Sequence, residues 1–160
     1  MKIKTGLGQD SHAFETNKKS GSKPLILAGI VFENSPSLRA NSDGDAVLHS
    51  LTNAISSITG NNILGGTADK LCQKGITDSG KYLALALQDL AGWRIENVAI
   101  SIECLSPKIA PMLAEMKKKI AILLNIKNTD VGITATSGEG LTAFGRGEGI
   151  QVLSIITVSK

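Results

Sequence analysis

The sequence predicts an α/β protein, layered in the manner of α+β folds, in which helices pack on one face of a single mixed sheet. Two observations lead to this class. Segments with strand patterns alternate with segments with helix patterns along the chain, and 160 residues is the usual length of one domain, so we expect a single domain over 1–160. Hydrophobic residues make up 42% of the chain and aromatic residues only 3%, which predicts an aliphatic core.

In the first half, short apolar runs between glycine-rich turns indicate strands, and apolar side chains three or four residues apart indicate a helix. Gly60 follows the last apolar position of that helix and is expected to end it. The predicted elements are a strand over 3–9, a loop over 15–23, a hairpin over 25–32, a helix between Asp45 and Gly60, and a long loop over 61–77.

In the second half, residues 95–104 alternate between apolar and polar side chains, as a half-buried strand does. Ser106 and Pro107 are predicted to start a helix, as its cap and its first residue. The predicted elements are a helix over 79–91, a strand over 95–104, a helix over 107–125, a strand over 131–135, a glycine-rich loop over 136–149, and a strand over 150–158 that is apolar on both faces.

Composition and charge exclude several classes of function. The net charge of +3 is spread along the chain, and its densest basic run, 117–119, falls on a predicted helix where a solvated face explains it, so we expect no nucleic-acid partner. Cys72 and Cys104 are isolated and lack metal-site spacing, which favours a reducing compartment. Without a visible signal peptide or membrane span, we expect a cytoplasmic protein with no membrane partner.

The sequence contains only two histidines, and each lies in a segment rich in glycine and aspartate. Asp10 and His12 are two residues apart, so in an extended segment both side chains leave the same face of the backbone. His49, in the first turn of a predicted helix, is the remaining imidazole. Together these three would bind zinc and leave the fourth tetrahedral position open for substrate. The alternative is a surface His12 and a half-buried His49 without a metal.

Two further polar segments are candidate anion sites. Ser42, Asp43 and Gly44 precede the first predicted long helix, where unpaired amide N–H groups could bind an anion or where these residues could serve as an ordinary cap. Residues 136–139 offer hydroxyls and a carboxylate at the end of a strand, which suits a diphosphate bridged by Mg²⁺. A simple polar turn is the alternative for this second segment.

These segments also resemble a known family. Gly6 to Phe14 matches the pattern G-x-G-x-D-x-H-x-F, and Ser42 to His49 matches S-D-G-D-x-x-x-H. Both patterns are typical of the 2-C-methyl-D-erythritol 2,4-cyclodiphosphate synthase family of the non-mevalonate isoprenoid pathway. The resemblance implies that Asp10, His12 and His49 bind zinc or another divalent transition metal.

The resemblance extends to the second half of the chain. The family's T-T-x-E block corresponds to Thr136, Ser137 and Glu139, which implies that they contact the diphosphate and a second metal, Mg²⁺ or Mn²⁺, as catalytic residues. Arg146, in a G-R-G-E-G-I block, corresponds to a residue near the central channel of the family's trimer. A cytidine pocket is implied at the segment made of Ser106, Pro107 and Lys108.

Three asparagines mark departures from the family. Asn41 stands where a histidine usually precedes the S-D-G-D block, and together with Ser42 it is expected to contact substrate phosphates. Asn62 aligns with the aspartate that binds the ribose in the family. Asn53 replaces an aspartate four residues after the last zinc histidine.

The implied activity is a cyclisation. The family converts 4-diphosphocytidyl-2-C-methyl-D-erythritol 2-phosphate into 2-C-methyl-D-erythritol 2,4-cyclodiphosphate and releases CMP, as a phosphorus-oxygen lyase that works as a homotrimer with sites between subunits. Two alternatives remain open from the residues. A zinc-dependent phosphohydrolase would use the same metal to activate water, and a non-catalytic trimeric relative would bind metal and nucleotide without turnover.

Overall fold

The computed structural model describes residues 1–16 and 23–160. Its strands and helices follow the order expected from the sequence, with one additional short helix. They are β1 (Ile3–Ala13), β2 (Leu25–Leu27), β3 (Ile30–Phe32), α1 (Ala46–Thr59), α2 (Gly66–Gln73), α3 (Ser79–Asp89), β4 (Arg94–Glu103), α4 (Leu113–Leu124), β5 (Val131–Thr136) and β6 (Gly149–Ser159).

The main sheet is mixed and has four strands in the order β1-β6-β4-β5. β1 and β4 pair antiparallel with β6 on either side of it, while β5 pairs parallel with β4. β2 and β3 form the expected hairpin, which is a separate two-stranded sheet. The mixed α/β class is therefore confirmed, although the prediction of a single sheet omitted this hairpin.

The two faces of the main sheet differ in what covers them. α1 packs on β1 and β6, and α4 packs on β5. β6 alternates between buried residues facing this helical layer, such as Val152 and Ile156, and exposed residues facing away, such as Leu153 and Ile155. Leu7 on β1 is 61% exposed on the same uncovered face. The last strand is apolar on both faces, as the sequence predicts, and the described residues leave one of these apolar faces uncovered.

Contact between β1 and α1 is unusually close because β1 carries glycines on its covered face. A Cβ atom at residue 8 would overlap the carbonyl oxygen of Ser50 and the amide nitrogen of Ala54, and Gly6 is equally confined. Only a residue without a side chain allows the helix backbone to approach the strand this closely. These glycines thus set the separation between the strand and the helix that carry the candidate metal ligands.

The start of α1 is fixed by Asp45, which is fully buried. Its side chain accepts hydrogen bonds from the amides of Val47 and Leu48, and also from Ala28 and Gly29 in the hairpin turn. The sequence predicts a cap at Ser42, Asp43 and Gly44, whereas the capping residue of the structure is Asp45. The helix amides that it binds are not available for an exogenous anion.

Three sequence-based boundaries are wrong. The first strand continues through Ala13, because residues 10–13 pair with β6. The predicted loop over 61–77 contains α2, whose glycine-rich start and single fully buried apolar residue, Ala68, gave a weak helical pattern. The helix predicted from Pro107 begins only with a 3₁₀ turn at Ala110, because residues 105–107 form a bend and Ser106 makes no cap.

The predicted loop over 15–23 lies mostly on residues 17–22, outside the described residues. Among the helices of the described chain, none is both long and apolar enough to cross a membrane.

Candidate metal and substrate site

The candidate metal ligands come from one strand and one helix. Asp10 and His12 lie near the end of β1, opposite Val152 and Ile150 of β6, and their two-residue spacing places them on the face covered by α1. His49 lies in the first turn of α1, directly above them. The close packing at Gly8 brings that helix turn within reach of the strand.

The three side chains meet around one point. The Oδ2 atom of Asp10 is 2.9 Å from His12 Nε2 and 3.1 Å from His49 Nδ1, and the two nitrogens are 3.4 Å apart. Ligand atoms bound tetrahedrally to zinc at about 2.0–2.1 Å lie about 3.3 Å from one another. The spacing and the donor set therefore fit a zinc-class ion, and the grouping predicted from the sequence is confirmed as a group that could bind a metal.

Each imidazole is oriented by a contact on its outer nitrogen. His12 Nδ1 lies 2.8 Å from the carbonyl oxygen of Arg39 and donates its proton there, which leaves Nε2 as the ligand atom. His49 Nε2 lies 2.8 Å from the hydroxyl of Ser79, which leaves Nδ1 facing Asp10. Both rings are thus held for metal binding by atoms outside the ligand group.

Protonation of the group is strongly perturbed. Burial raises the pKa of Asp10, but hydrogen bonds from His12 and His49 outweigh it and hold that pKa at about 2. The hydrogen bond to Asp10 raises the pKa of His12 above its ordinary value, against the opposing effect of burial. In the metal-free site, the carboxylate is therefore ionised while His12 retains a proton to a higher pH than a free histidine.

We expect zinc affinity to fall as the pH is lowered through the raised pKa of His12. The metal must displace the proton that Asp10 stabilises on this ring, so the affinity should drop by about tenfold per pH unit once His12 is protonated in the free protein. Chelator-competition titrations between about pH 5.5 and pH 8 measure this dependence. An affinity that stays constant across the range would contradict the assignment of His12 as a ligand.

The ligand group opens into a cavity of about 570 Å³. Asn41 and Ser42, two residues predicted to contact substrate, line this cavity beside the ligands. α2 forms the opposite wall with Ala68, Asp69 and Cys72. The helix missed in the sequence therefore borders the site directly.

Other cavity residues were also missed, because nothing in their local sequence marks them. Arg39 places a half-exposed guanidinium at the cavity, 3.8 Å from a carboxylate oxygen of Glu15. Tyr82 lies behind His49, with its hydroxyl donating to the carbonyl oxygen of Ile76 and 2.9 Å from Cys72 Sγ. Burial raises the pKa of Tyr82, so this hydroxyl stays protonated and ties α2 to α3.

The remaining predicted site residues do not line this cavity. Asn62 is exposed beside the start of α2. Thr136 ends β5, the edge strand opposite β1, and Ser137 and Glu139 follow it, so all three stand at the same end of the sheet as the metal ligands but roughly 14 Å away across three strand spacings. Glu139 has a φ of 50°, in the left-handed region that few non-glycine residues adopt.

The cytidine segment and Arg146 also lie apart from the metal ligands. Ser106, Pro107 and Lys108 follow β4, next to β5, and Cys104 Sγ donates to the carbonyl oxygen of Pro107 at 3.6 Å. The guanidinium of Arg146 is exposed and pairs with Glu148 just before β6. The predicted site residues of one chain are thus spread across the sheet, and only Asn41 and Ser42 lie beside the metal ligands.

The structure defines the class as a mixed-sheet protein whose Asp/His/His group, which could hold a metal, opens into a polar cavity. The family model described as the YgbB family matches residues 3–159. The 2-C-methyl-D-erythritol 2,4-cyclodiphosphate synthase of Chlamydia caviae is 52% identical over 98% of this chain and 89% of that protein. The chain belongs to this synthase family and is therefore an enzyme.

Solved structures support the same assignment. The bifunctional IspDF from Campylobacter jejuni matches 98% of this chain with 33% identity and a TM-score of 0.85, and this chain spans 42% of that longer one. A Plasmodium falciparum IspF in complex with CDP matches 98% of this chain and 95% of its own, with 26% identity and a TM-score of 0.81. The expected family and fold are thus confirmed.

Proposed function

We propose that this enzyme cyclises 4-diphosphocytidyl-2-C-methyl-D-erythritol 2-phosphate to 2-C-methyl-D-erythritol 2,4-cyclodiphosphate with release of CMP, as a phosphorus-oxygen lyase of non-mevalonate isoprenoid biosynthesis. An oxygen of the 2-phosphate attacks the β-phosphorus, and the bond from that phosphorus to the oxygen shared with the α-phosphate breaks. CMP leaves with the bond electrons. The observation that carries this proposal is the tetrahedral spacing of the Asp10, His12 and His49 donor atoms at a polar cavity, in a chain that the family model matches over residues 3–159.

A zinc-class ion bound by these three residues would supply positive charge that offsets the repulsion between the attacking and accepting phosphates. Asn41 and Ser42 line the same cavity, and their side-chain amide and hydroxyl are proposed to donate hydrogen bonds to phosphate oxygens. Arg39 adds a cation at the cavity. Since these groups act on oxygens that carry charge in the transition state, the protein contributes positioning and electrostatics and needs no nucleophilic side chain.

The complete site is proposed to form between copies of the chain in a homotrimer. Metal ligands stand at the β1 edge, whereas Thr136, Ser137 and Glu139, proposed to hold Mg²⁺ or Mn²⁺ with the diphosphate, stand at the β5 edge. A closed ring of head-to-tail copies brings one edge beside the other. Leu7, together with the open face of β6, provides the apolar surface that such a ring would bury.

Within that assembly, the segment from Ser106 to Lys108 is proposed to bind cytidine, Asn62 to face the ribose, and Arg146 to line the central channel. CDP bound to the Plasmodium falciparum relative supports a cytidine diphosphate-linked substrate. A cytoplasmic location is proposed from the two free cysteines, Cys72 and Cys104, which suit a reducing compartment.

Phosphorus NMR of the products tests the proposed reaction. Incubation of the purified protein with the cytidyl substrate, Zn²⁺ and Mg²⁺ should yield CMP and a cyclic diphosphate, whose two phosphorus resonances differ from those of linear phosphates. Linear products would identify a phosphohydrolase. Binding of CDP without any product would identify a non-catalytic relative.

A further inference from the structure

The outer nitrogen of His49 contacts a group that lies thirty positions away in the sequence. His49 Nδ1 faces Asp10 and His12, while Nε2 points to the opposite side, 2.8 Å from the hydroxyl oxygen of Ser79. Ser79 is the first residue of α3 and is fully buried. The hydroxyl of Ser42 is a more distant neighbour at 3.3 Å, and it also accepts a hydrogen bond from the amide of Gly44.

Ser79 is itself held by the carboxylate of Asp43. Its amide donates to Asp43 Oδ2 at 3.0 Å, and its hydroxyl donates to Asp43 Oδ1 in a short hydrogen bond. The backbone of Asp43 is fixed in turn, because its amide donates to the carbonyl oxygen of Thr77. The Asp43 carboxylate, the Ser79 hydroxyl and the His49 imidazole are therefore joined by a continuous series of hydrogen bonds.

The donor and the acceptor in each of these hydrogen bonds follow from the number of protons that each group can donate. An ionised carboxylate can only accept hydrogen bonds, and a serine hydroxyl has one proton to donate. That proton goes to Asp43, so the oxygen of Ser79 can only accept from His49, and Nε2 must carry a proton. With Nε2 protonated, Nδ1 is the nitrogen left to bind a metal, in place of the proton that it donates to Asp10 in the metal-free site.

We infer that Asp43 and Ser79 are positioning residues that hold His49 in the tautomer and orientation required for metal binding through Nδ1. This inference rests on the proposed metal site. The negative charge of Asp43, transmitted through the hydroxyl, also favours electron donation by the ring. The start of α3, which follows the helix that lines the cavity, is thereby joined directly to the metal ligand.

Zinc affinity of purified variants, measured by chelator competition at fixed pH, tests the inference. Loss of a partner to a ligating histidine weakens metal binding by about 10–100-fold, so we expect a decrease of this size for Ser79→Ala. Asp43→Asn should give a similar decrease, because an asparagine side chain has a single acceptor oxygen and cannot accept from both the amide and the hydroxyl of Ser79. The double variant should bind zinc with about the affinity of whichever single variant binds it less tightly, since both changes break the same series of hydrogen bonds.

Matched controls separate positioning from general loss of stability. Ser50 follows His49, and its equally buried hydroxyl bonds to Val47 and Ser154 rather than to the imidazole. Ser50→Ala should therefore leave zinc affinity unchanged. Ser79→Thr retains a hydroxyl and should recover most of the affinity lost in Ser79→Ala. Thermal unfolding of every variant without metal records any cost to the fold.

The tautomer of His49 gives a second readout, because nitrogen-proton correlation NMR of the zinc-loaded protein distinguishes protonated Nε2 from ligating Nδ1. In the wild-type protein, we expect the proton on Nε2 to be protected from exchange with solvent. In Ser79→Ala, we expect this protection to be lost. If the wild-type protein binds no zinc, the proposed metal site is wrong. If it binds zinc and Ser79→Ala binds equally tightly with unchanged Nε2 protection, the metal site stands and the positioning role is refuted.

Discussion

His49→Ala is expected to abolish both zinc binding and turnover while the protein remains folded. His49 supplies one of three ligand atoms from the protein, and the charge that the bound metal supplies is worth several kcal/mol in the transition state, or about a thousandfold or more in kcat/KM. Alanine favours helix, so α1 should persist. Zinc content by elemental analysis, product formation by phosphorus NMR and circular dichroism measure the three effects.

Ser57→Ala on the same helix is the control for this variant. Ser57 is exposed, its hydroxyl bonds within the helix to Ala54, and it lies two turns from His49. Its substitution should preserve zinc content and turnover. Full zinc occupancy in His49→Ala would show that the metal, if present, binds elsewhere.

Gly8→Ala is expected to have the largest effect on stability. The new methyl group would overlap backbone atoms of Ser50 and Ala54, which cannot move unless α1 shifts as a whole. Such overpacking should lower the free energy of unfolding by about 3 kcal/mol. Because the same helix carries His49 over β1, zinc affinity should fall together with stability.

Gly132→Ala provides the matched control. Gly132 also lies in a strand of the main sheet, but a Cβ there would meet its nearest atom at 3.7 Å, an ordinary contact. We expect this variant to be as stable as the wild type or slightly more stable, since alanine is less flexible than glycine in the unfolded chain. Equal urea midpoints for both alanine variants would contradict the role assigned to Gly8.

The metal ligands could be found from the sequence because each follows a regular pattern. Alternation along a strand places Asp10 and His12 on one face, and the apolar stripe of the following helix places His49 in its first turn. The helix cap was also within reach, since aspartate before an apolar helix pattern is a common start signal. Only the position of the cap, at Asp45 rather than at Ser42, Asp43 or Gly44, required the structure.

Other features depend on contacts between distant segments. The hydroxyl of Ser79 reaches His49 only because α3 begins beside the turn that contains Asp43, and no spacing in the sequence encodes this. α2 escaped prediction because local glycines oppose a helix that tertiary packing at Ala68 favours. The helix after β4 starts later than predicted, because the segment around Pro107 turns before any helix begins.

The distance between Glu139 and the metal ligands also could not be predicted from the sequence. Strand order follows from pairing, and β6, the last strand, inserts between β1 and β4. This insertion moves Glu139, at the β5 edge, away from the metal ligands of its own chain. In the proposed site, the metal ligands of one copy are therefore combined with Glu139 of a second copy.

Complementation between two inactive variants tests this shared site most directly. His49→Ala chains retain Glu139, and Glu139→Gln chains retain the metal ligands, so each should be inactive alone. In randomly mixed trimers, about a quarter of the interfaces combine an intact metal group with an intact Glu139. We expect co-expressed variants to recover about a quarter of wild-type turnover per site. Mixed trimers, verified by mass, that remain inactive would contradict a site built from two copies.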